Sequence, residues 1–254
     1  MSKIGEIYEY INEIAPFDTA LSFDNVGLLV GNYDIEVSRV LLALDITKSV
    51  CDEAKNLGAN LIISHHPVIF KPLKNIMFDS VASSLMKNEI SAICAHTNLD
   101  IAEKGVNFQL AEKIGLLNLS TLTFEENKPI GLIGYLRNEM NAEEFAAFVK
   151  EKLDCNGVRY TKINNKIKKV AVCSGSGGTF IENAYEKSVD AFVVGEIKHS
   201  DILKANDFGI SIVDAGHYKS ENVIIQPLKS MLGAKFPHIK FFASQTFSDG
   251  VNYL

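Results

Sequence analysis

The sequence predicts an α/β protein that consists of two similar α/β units with mainly parallel sheets. Apolar segments typical of buried strands alternate with segments typical of helices, and this alternation occurs twice along the chain. The stretch from Val40 to His65 also has nearly the same length as the stretch from Val170 to Glu196. We therefore expect a first unit at residues 1–125 and a second at residues 126–254, with a C-terminal strand that can pack back on the first.

The first half begins with an amphipathic helix. Ile4, Ile7 and Ile11 recur at helical spacing with acidic residues between them, which is not the pattern of a signal peptide. "SRVLLALDIT" then predicts a strand, "KSVCDEAKNLG" a helix and "ANLIIS" a buried strand. The helix "SVASSLMKNE" and the strand in "ISAICAHTNLD" complete this unit.

The second half repeats this order of elements. "KKVAVCS" predicts a strand, "TFIENAYEKS" a helix and "VDAFVVG" a second strand. They are followed by the helix "SDILKANDFG" and the strand in "ISIVDAGHYKSE". Helices between consecutive strands favour parallel pairing of those strands, so both sheets should be mainly parallel.

Polar motifs follow corresponding strands in the two halves. His65 and His66 follow the second strand of the first half, and Gly195 and Glu196 follow its counterpart. "HTNLD" and "HYKSE" come after the next strand in each half, and both place a carboxylate four residues after a histidine. Ligand sites of open parallel sheets form beyond the carboxyl ends of strands. On a helical turn, the four-residue spacing puts both groups on one face and suits chelation.

Two adjacent histidines at the end of a strand indicate a pair of metal ions. Successive side chains of a strand point in opposite directions, so His65 and His66 suit two neighbouring ions better than one. Imidazoles together with Asp and Glu form a mixed nitrogen and oxygen ligand set for zinc, iron, manganese or nickel. Taken singly, each motif also fits a solvated turn or an exposed helix turn. Their combination at four strand ends favours metal binding.

The composition excludes several classes of protein. The 254 residues are 47% hydrophobic and 22% charged, as expected for a packed globular interior. A net charge of -6 argues against a protein that primarily binds nucleic acid, and no apolar run has the length of a membrane span. The cysteines are widely spaced, which suggests neither a zinc knuckle nor a disulfide framework. A reducing cytoplasm is the expected location.

Several motifs together resemble one known family. "SFDNVGLLVG", "ISHHPVIF", "HTNLD", "GEIKH" and "DAGHYKSE", in this order, are similar to motifs of the NIF-three-like proteins, often labelled GTP cyclohydrolase I type 2 homologs. The resemblance covers nearly the whole chain. It implies two similar α/β domains, a dinuclear metal centre between them at the carboxyl ends of the strands, and a toroidal homohexamer whose sites face an internal cavity. The segment from "FEENKPIG" to "KINNK" is too short for the extra domain of some relatives, so we expect the compact form.

The resemblance also implies which residues bind the metal. It assigns two divalent ions per chain, with Asp100 and Glu221 as bridges and His96 in or beside the ligand set. The stretch after "GEIKH" continues with Ser200, where the resemblance implies a second histidine. The implied ligands are His65, His66, Asp100, His217 and Glu221.

Two functions follow from these expectations. One is a metal-dependent hydrolase, in which Glu196 or His96 is the candidate general acid or base because each closes a strand that faces the expected ions. The family label would make GTP the substrate, but a phosphoester or another nucleotide-like molecule is equally compatible with the sequence. The alternative is a non-catalytic protein that handles metal or assembles as a ring.

Other residues have weaker claims to function. The glycine-rich loop Ser174–Gly178 is either an anion site, helped by Lys198 and His199, or a tight turn. "DNVG", from Asp24 to Gly27, either lines the cavity or joins two elements. Cys94 is expected to be a core thiol and His238 an ordinary histidine.

Overall fold

The computed structural model describes residues 2–163, 166–246 and 249–254. Residues 164 and 165, at the end of the segment judged too short for an extra domain, lie outside the described residues. The strands of the described residues are β1 (Ser2–Lys3), β2 (Gly27–Val30), β3 (Glu36–Val37), β4 (Arg39–Ala43), β5 (Leu61–Ser64), β6 (Ser91–Cys94), β7 (Leu117–Glu125), β8 (Lys128–Met140), β9 (Arg159–Tyr160), β10 (Ile167–Cys173), β11 (Ala191–Val194), β12 (Ser211–Asp214) and β13 (Lys240–Ala243). The helices are α1 (Ile4–Ile14), α2 (Lys48–Leu57), α3 (Val81–Lys87), α4 (Thr97–Ile101), α5 (Val106–Ile114), α6 (Ala142–Lys152), α7 (Ile181–Glu186), α8 (His199–Phe208), α9 (His217–Glu221) and α10 (Ile225–Lys235). Short 3-10 helices lie at Phe17–Thr19, Gly177–Phe180 and Asn222–Ile224.

The chain forms two compact α/β units, each with its own sheet. One unit comprises the chain up to Glu103 and the segment that starts at Ile225, and the other comprises Lys104–Ile224 and the last residues from Asp249. The boundary therefore lies earlier than the predicted one between residues 125 and 126. The reason is that α5 packs on the second sheet and that the hairpin of β7 and β8 pairs with β10.

The first sheet has the strand order β13-β4-β5-β6-β2. The pairs β13/β4, β4/β5 and β5/β6 are parallel, and β2 adds an antiparallel edge. Alternate residues of the central strands, such as Leu41, Ile62 and Ala92, pack with Val50 of α2 and Leu85 of α3 in one buried cluster. Strands of a parallel sheet are covered on both faces, which explains why β5 and β6 are buried throughout.

The second sheet has the strand order β7-β8-β10-β11-β12-β9. Its centre, β10-β11-β12, is parallel, whereas β7, β8 and β9 add antiparallel strands at its sides. Phe145 of α6 and Leu110 of α5 pack on Val170 and Val193 of the central strands. The prediction of an α/β fold is thus confirmed: the first sheet is mainly parallel, and the second is a mixed sheet with a parallel centre. None of the helices in the described ranges has the length and apolarity of a bilayer-spanning helix.

The two units place their polar motifs at corresponding strand ends, but one pair of motifs is offset by one residue. The N–H of Ala95 donates to the carbonyl of Ser64, and the N–H of Ala215 donates to the carbonyl of Val194, which aligns the two strand pairs. His96 is then the N-cap of α4, whereas His217 is already the first residue of α9. The two histidines therefore start from different backbone positions.

Candidate metal site

Three histidines of the first unit form a cluster beyond the ends of two neighbouring strands. His65 and His66 directly follow β5, and His96 follows β6 after one intervening residue. Each offers a ring nitrogen within 4.8 Å of those of the other two. His65 is 2% exposed, so its imidazole is held inside the protein. Parallel pairing of β5 with β6 brings these separate sequence positions to one edge of the sheet.

Each of these imidazoles is oriented by an oxygen at its Nδ1 atom. Nδ1 of His65 lies 3.0 Å from the carbonyl oxygen of Ala95, and Nδ1 of His66 lies 2.9 Å from Oδ1 of Asp45. Nδ1 of His96 lies 2.9 Å from Oδ1 of Asp24. A carbonyl oxygen only accepts, so Nδ1 of His65 carries the proton, and carboxylates favour the same tautomer. Nε2 then bears the lone pair, which is the arrangement of metal-binding histidines.

Asp24 is a buried carboxylate with a defined set of donors. Its side chain is 0% exposed, and its Oδ2 accepts hydrogen bonds from the backbone N–H and the hydroxyl of Thr97. Burial by itself raises the pKa of Asp24, but the hydrogen bonds from His96 and Thr97 and the charge of His96 outweigh it and hold the pKa well below its usual range. Asp24 therefore stays ionised and fixes the ring of His96.

Asp100 lies beside His65 in the same unit. Its Oδ1 is 3.6 Å from Nε2 of His65, which is longer than a hydrogen bond. Two ligand atoms of one tetrahedral ion are separated by about 3.4 Å when each bond is about 2.1 Å, so the observed separation fits a shared ion. The helical-turn geometry expected for His96 and Asp100 does not apply, because His96 has the non-helical backbone angles φ −111° and ψ −106°.

In the second unit, His217 lies between two carboxylates. Its Nδ1 is 3.0 Å from Oε1 of Glu196, and its Nε2 is 3.0 Å from Oε2 of Glu221. Both His217 and Glu221 belong to α9, so the predicted i,i+4 geometry holds here. Glu221 is 3% exposed, whereas the Glu196 side chain is 59% exposed and also accepts a hydrogen bond from the Ser176 hydroxyl. Glu196 thus orients His217 in the same way that Asp45 orients His66.

The glycine-rich loop after β10 supports this pair by close packing. Gly175 has φ +55°, and a Cβ at this position would overlap with Oε1 of Glu221. The hydroxyl of Ser220 accepts from the N–H of Gly175 and donates to the carbonyl of His217. The N–H groups of Ser174, Gly175 and Gly178 are all bonded within the protein. Of the two alternatives for this loop, an anion site or a tight turn, these bonds favour the turn.

The structure also places the remaining residues named from the sequence. Cys94 is a buried thiol whose Sγ donates to the carbonyl of His65, and all four cysteines are buried and free of disulfides. Nε2 of His238 lies 3.1 Å from the hydroxyl of Ser2, near the start of the chain. Sequence reasoning did not identify Asp45 as a partner of His66, although its position just beyond the end of β4 was a usable signal.

Comparison with known proteins identifies the family. A family model described as Duf34/NIF3 (NGG1p interacting factor 3) matches residues 2–250. The chain belongs to the Duf34/NIF3 family. The resemblance noted from the motifs is therefore confirmed over nearly the whole chain.

Relatives of this Duf34/NIF3 protein match it along their full length. A GTP cyclohydrolase 1 type 2 homolog from Clostridium perfringens is 32% identical, over 99% of this chain and 100% of the relative. A hypothetical protein from Staphylococcus aureus has a crystal structure with a TM-score of 0.93 and 34% identity, covering 99% of both chains. A Bacillus cereus protein related to NIF3 also has a TM-score of 0.93, with 28% identity over 99% of both chains.

Proposed function

We propose that this protein is a metal-dependent hydrolase with a dinuclear centre. The proposal assigns two divalent ions per chain and assigns Asp100 and Glu221 as bridging ligands, as the family resemblance implies. The observation that carries it is the histidine cluster of the first unit, where an oxygen at Nδ1 fixes the orientation of each imidazole. The ligands are His65, His66, Asp100, His217 and Glu221.

The chemistry of the donors fits such a centre. Imidazole Nε2 atoms and carboxylate oxygens bind zinc, iron, manganese and nickel, and carboxylates are suited to bridging two ions. His65 and Glu221 are both nearly inaccessible to solvent, and Glu221 has Nε2 of His217 as a partner at 3.0 Å. A bound ion would add to this compensation of the buried charge and would keep the imidazoles unprotonated at Nε2.

The residues of this chain then have distinct roles in hydrolysis. Ions held by these ligands would supply Lewis acidity and would lower the pKa of water. His96 is the proposed acid or base, because Asp24 holds its ring and leaves Nε2 as the atom that exchanges a proton with substrate or water. Glu196 is the second candidate, and its contact with His217 also gives it a positioning role.

A nucleotide or a related phosphoester is the proposed substrate class. The relatives named GTP cyclohydrolase 1 type 2 homolog support a nucleotide. The chain's own polar residues support any small molecule whose hydrolysis develops charge on an oxygen beside the ions. The residues of the site therefore support the type of reaction, whereas only the names of the relatives support a nucleotide as the substrate.

A panel of nucleotides and phosphoesters tests the proposal. The protein is loaded separately with zinc, iron, manganese and nickel, and product formation is compared between wild type and the Glu196→Gln and His96→Gln variants. Metal-dependent turnover that falls at least tenfold in His96→Gln is the expected result, since general acid or base catalysis contributes about 100-fold or more. Turnover that is the same after chelation would contradict a metal-dependent mechanism.

A non-catalytic role in metal handling is a second candidate. One observation favours it: the Glu196 carboxylate is already engaged by both His217 and Ser176, so its oxygens stabilise the protein itself. In this case the metal should exchange readily with a chelator, and no tested compound should be hydrolysed. The same panel, combined with metal-exchange rates, separates the two functions.

We also propose that the protein forms a homohexamer in the cytoplasm. An irregular segment between β5 and α3 supports self-association, because it exposes several large apolar side chains that are costly to leave in water. Phe78 is 87% exposed and Met77 is 61% exposed. Burial of this segment against another copy of the chain would remove that cost. Reduced, buried cysteines support the reducing compartment.

A further inference from the structure

The second unit contains a polar pocket that is lined in part by Glu196. Its volume is about 430 Å³, which is within the range of sites for small molecules. The pocket lies where the glycine-rich loop, the end of β11 and the start of α8 meet. Its walls include Arg159, Ser176, Thr179, Glu196 and Lys198.

Arg159 presents a guanidinium group whose orientation is fixed. Its Nε atom lies 3.0 Å from Oδ2 of Asp214, and its Nη2 atom bonds to the same carboxylate oxygen. Nη2 also donates to the carbonyl of Ile197 at 3.4 Å. The Asp214 side chain is 7% exposed, whereas the Arg159 side chain is 67% exposed. The buried carboxylate therefore holds the exposed guanidinium in place. A guanidinium held in one plane loses little entropy when it binds an oxyanion.

Lys198 and the hydroxyl of Thr179 add further donors, whereas the Ser176 hydroxyl already donates to Glu196. Lys198 is the N-cap residue of the ten-residue helix α8, so its ammonium group and the positive end of the helix dipole belong to the same wall. Ser176 and Thr179 line the pocket from the 3-10 helix and the residue before it. An ammonium, a guanidinium and hydroxyls are the groups that proteins use to bind phosphate oxygens.

Two carboxylates reduce non-selective binding of anions in the pocket. Glu196 bonds to Ser176 and His217, and Asp201 lies in the first turn of α8. Together with Asp214, which already pairs with Arg159, they outnumber the cations Arg159 and Lys198. They can also accept hydrogen bonds from hydroxyl groups. A ligand that carries both a phosphate and sugar hydroxyls matches this wall better than a bare anion does.

We propose that Arg159, Lys198 and Thr179 form a phosphate subsite for a sugar phosphate, with the neighbouring carboxylates accepting the sugar hydroxyls. This inference rests on the proposed function in one respect: the contact between Glu196 and His217 makes the pocket continuous with a candidate metal ligand. The subsite would therefore hold the phosphorylated part of the substrate and leave its remainder beside His217.

Calorimetric titration with ribose 5-phosphate, ribose and inorganic phosphate tests the subsite. Each probe is titrated into the zinc-loaded protein and into the chelated protein. The variants are Lys198→Gln and Thr179→Val, both at exposed positions where folding is retained, and the control is Lys162→Gln, an exposed lysine of the same unit that pairs with Glu143. Arg159→Ala is less suitable because it would leave the buried Asp214 without its partner.

The expected result is binding of ribose 5-phosphate with and without zinc, weakened about tenfold by Lys198→Gln and not by Lys162→Gln, since a charge-assisted hydrogen bond is lost. Inorganic phosphate should bind more weakly, and ribose alone more weakly still.

Equal affinities of Lys198→Gln, Thr179→Val and wild type would overturn the subsite. If binding disappears on chelation and is the same in wild type and Lys198→Gln, the phosphate binds to the ions instead. Binding that depends on Lys198 in a protein without metal-dependent hydrolysis would uphold the subsite and contradict the proposed function.

Discussion

Nδ1 of His96 lies 2.9 Å from Oδ1 of Asp24, and the side chain of Asp24 is wholly buried. Thr97, the next residue, uses both its backbone N–H and its hydroxyl to hold the other oxygen of the same carboxylate. One acidic group thus fixes the start of α4 and the ring of the residue before it.

Replacing Asp24 with Asn should destabilise the first unit. Asn retains the size of Asp but loses the charge that strengthens the hydrogen bonds from His96 and Thr97, at a cost of about 2 kcal/mol in the free energy of unfolding. Urea denaturation at neutral pH measures the change. The matched control is Asp34→Asn, an exposed residue that pairs with Lys3, which should change stability by less than about 0.5 kcal/mol. Equal stability of the two variants would show that the contact with His96 contributes nothing.

Wild-type protein should bind close to two divalent ions per chain, and replacement of a ligand should reduce this number. His65→Ala, His66→Ala and His217→Ala each remove a bond to metal that water replaces poorly, so occupancy should fall sharply. His238→Ala is the matched control, because this histidine bonds to Ser2. Elemental analysis after dialysis measures the metal content. Undiminished metal in all three variants would contradict their role as ligands.

The His96→Ala variant separates an acid or base from a ligand. Because Asp24 already holds the ring at Nδ1, we expect retained metal and at least tenfold lower turnover if Nε2 transfers a proton. Metal content and turnover are measured on the same preparation. Loss of metal together with turnover would instead make His96 a ligand.

The segment after β13 should loosen in acid. Glu53 accepts hydrogen bonds from the Ser244 hydroxyl at 2.6 Å, the Gln245 N–H at 2.9 Å and the Thr246 hydroxyl at 2.8 Å. Burial raises the pKa of Glu53, but these bonds outweigh it, and its pKa lies below the ordinary value. The stabilisation is therefore complete above an unfolded-state pKa of about 4.3 and is lost as the pH falls through the folded-state pKa.

Glu53→Gln tests this acid dependence. The variant should lose about 1 kcal/mol of stability at neutral pH and show a smaller change between neutral and acidic pH than wild type. Asp52→Asn, at an exposed position of the same helix, is the control. Identical pH profiles for wild type and Glu53→Gln would rule out this role for the carboxylate.

Light scattering should give the mass of a hexamer. The expectation combines the family resemblance with the apolar side chains exposed between β5 and α3, and Phe78→Ser together with Met77→Ser should shift the protein to smaller species. Met86→Ser, also exposed but on α3, is the control. A monomer over a wide concentration range would argue against the assembly.

The sequence predicted the alternating elements and the strand ends that carry the polar motifs, because buried strands and helix signals are local. It did not predict that His96 is oriented by Asp24, since 72 residues separate them and only the fold brings them together. Asp45 is 21 residues from His66, but its position just beyond the end of β4 could have indicated this partnership. The hairpin of β7 and β8 was also missed, because its turn has positive φ at Glu126 and Asn127 without the Asn-Gly or Asp-Gly pair that usually indicates such a turn.

Since β13 is the edge strand next to β4, the order of synthesis sets an order of assembly for the nascent chain. Residues 104–224 have all been translated before Lys240–Ala243 exist, so most of the second unit can fold on the ribosome while the first sheet still lacks its last strand. Until β13 is made, the edge of β4 in the first unit is unpaired and can contact other nascent chains. The first sheet, begun first, is therefore completed only after residues 104–224 have been synthesised.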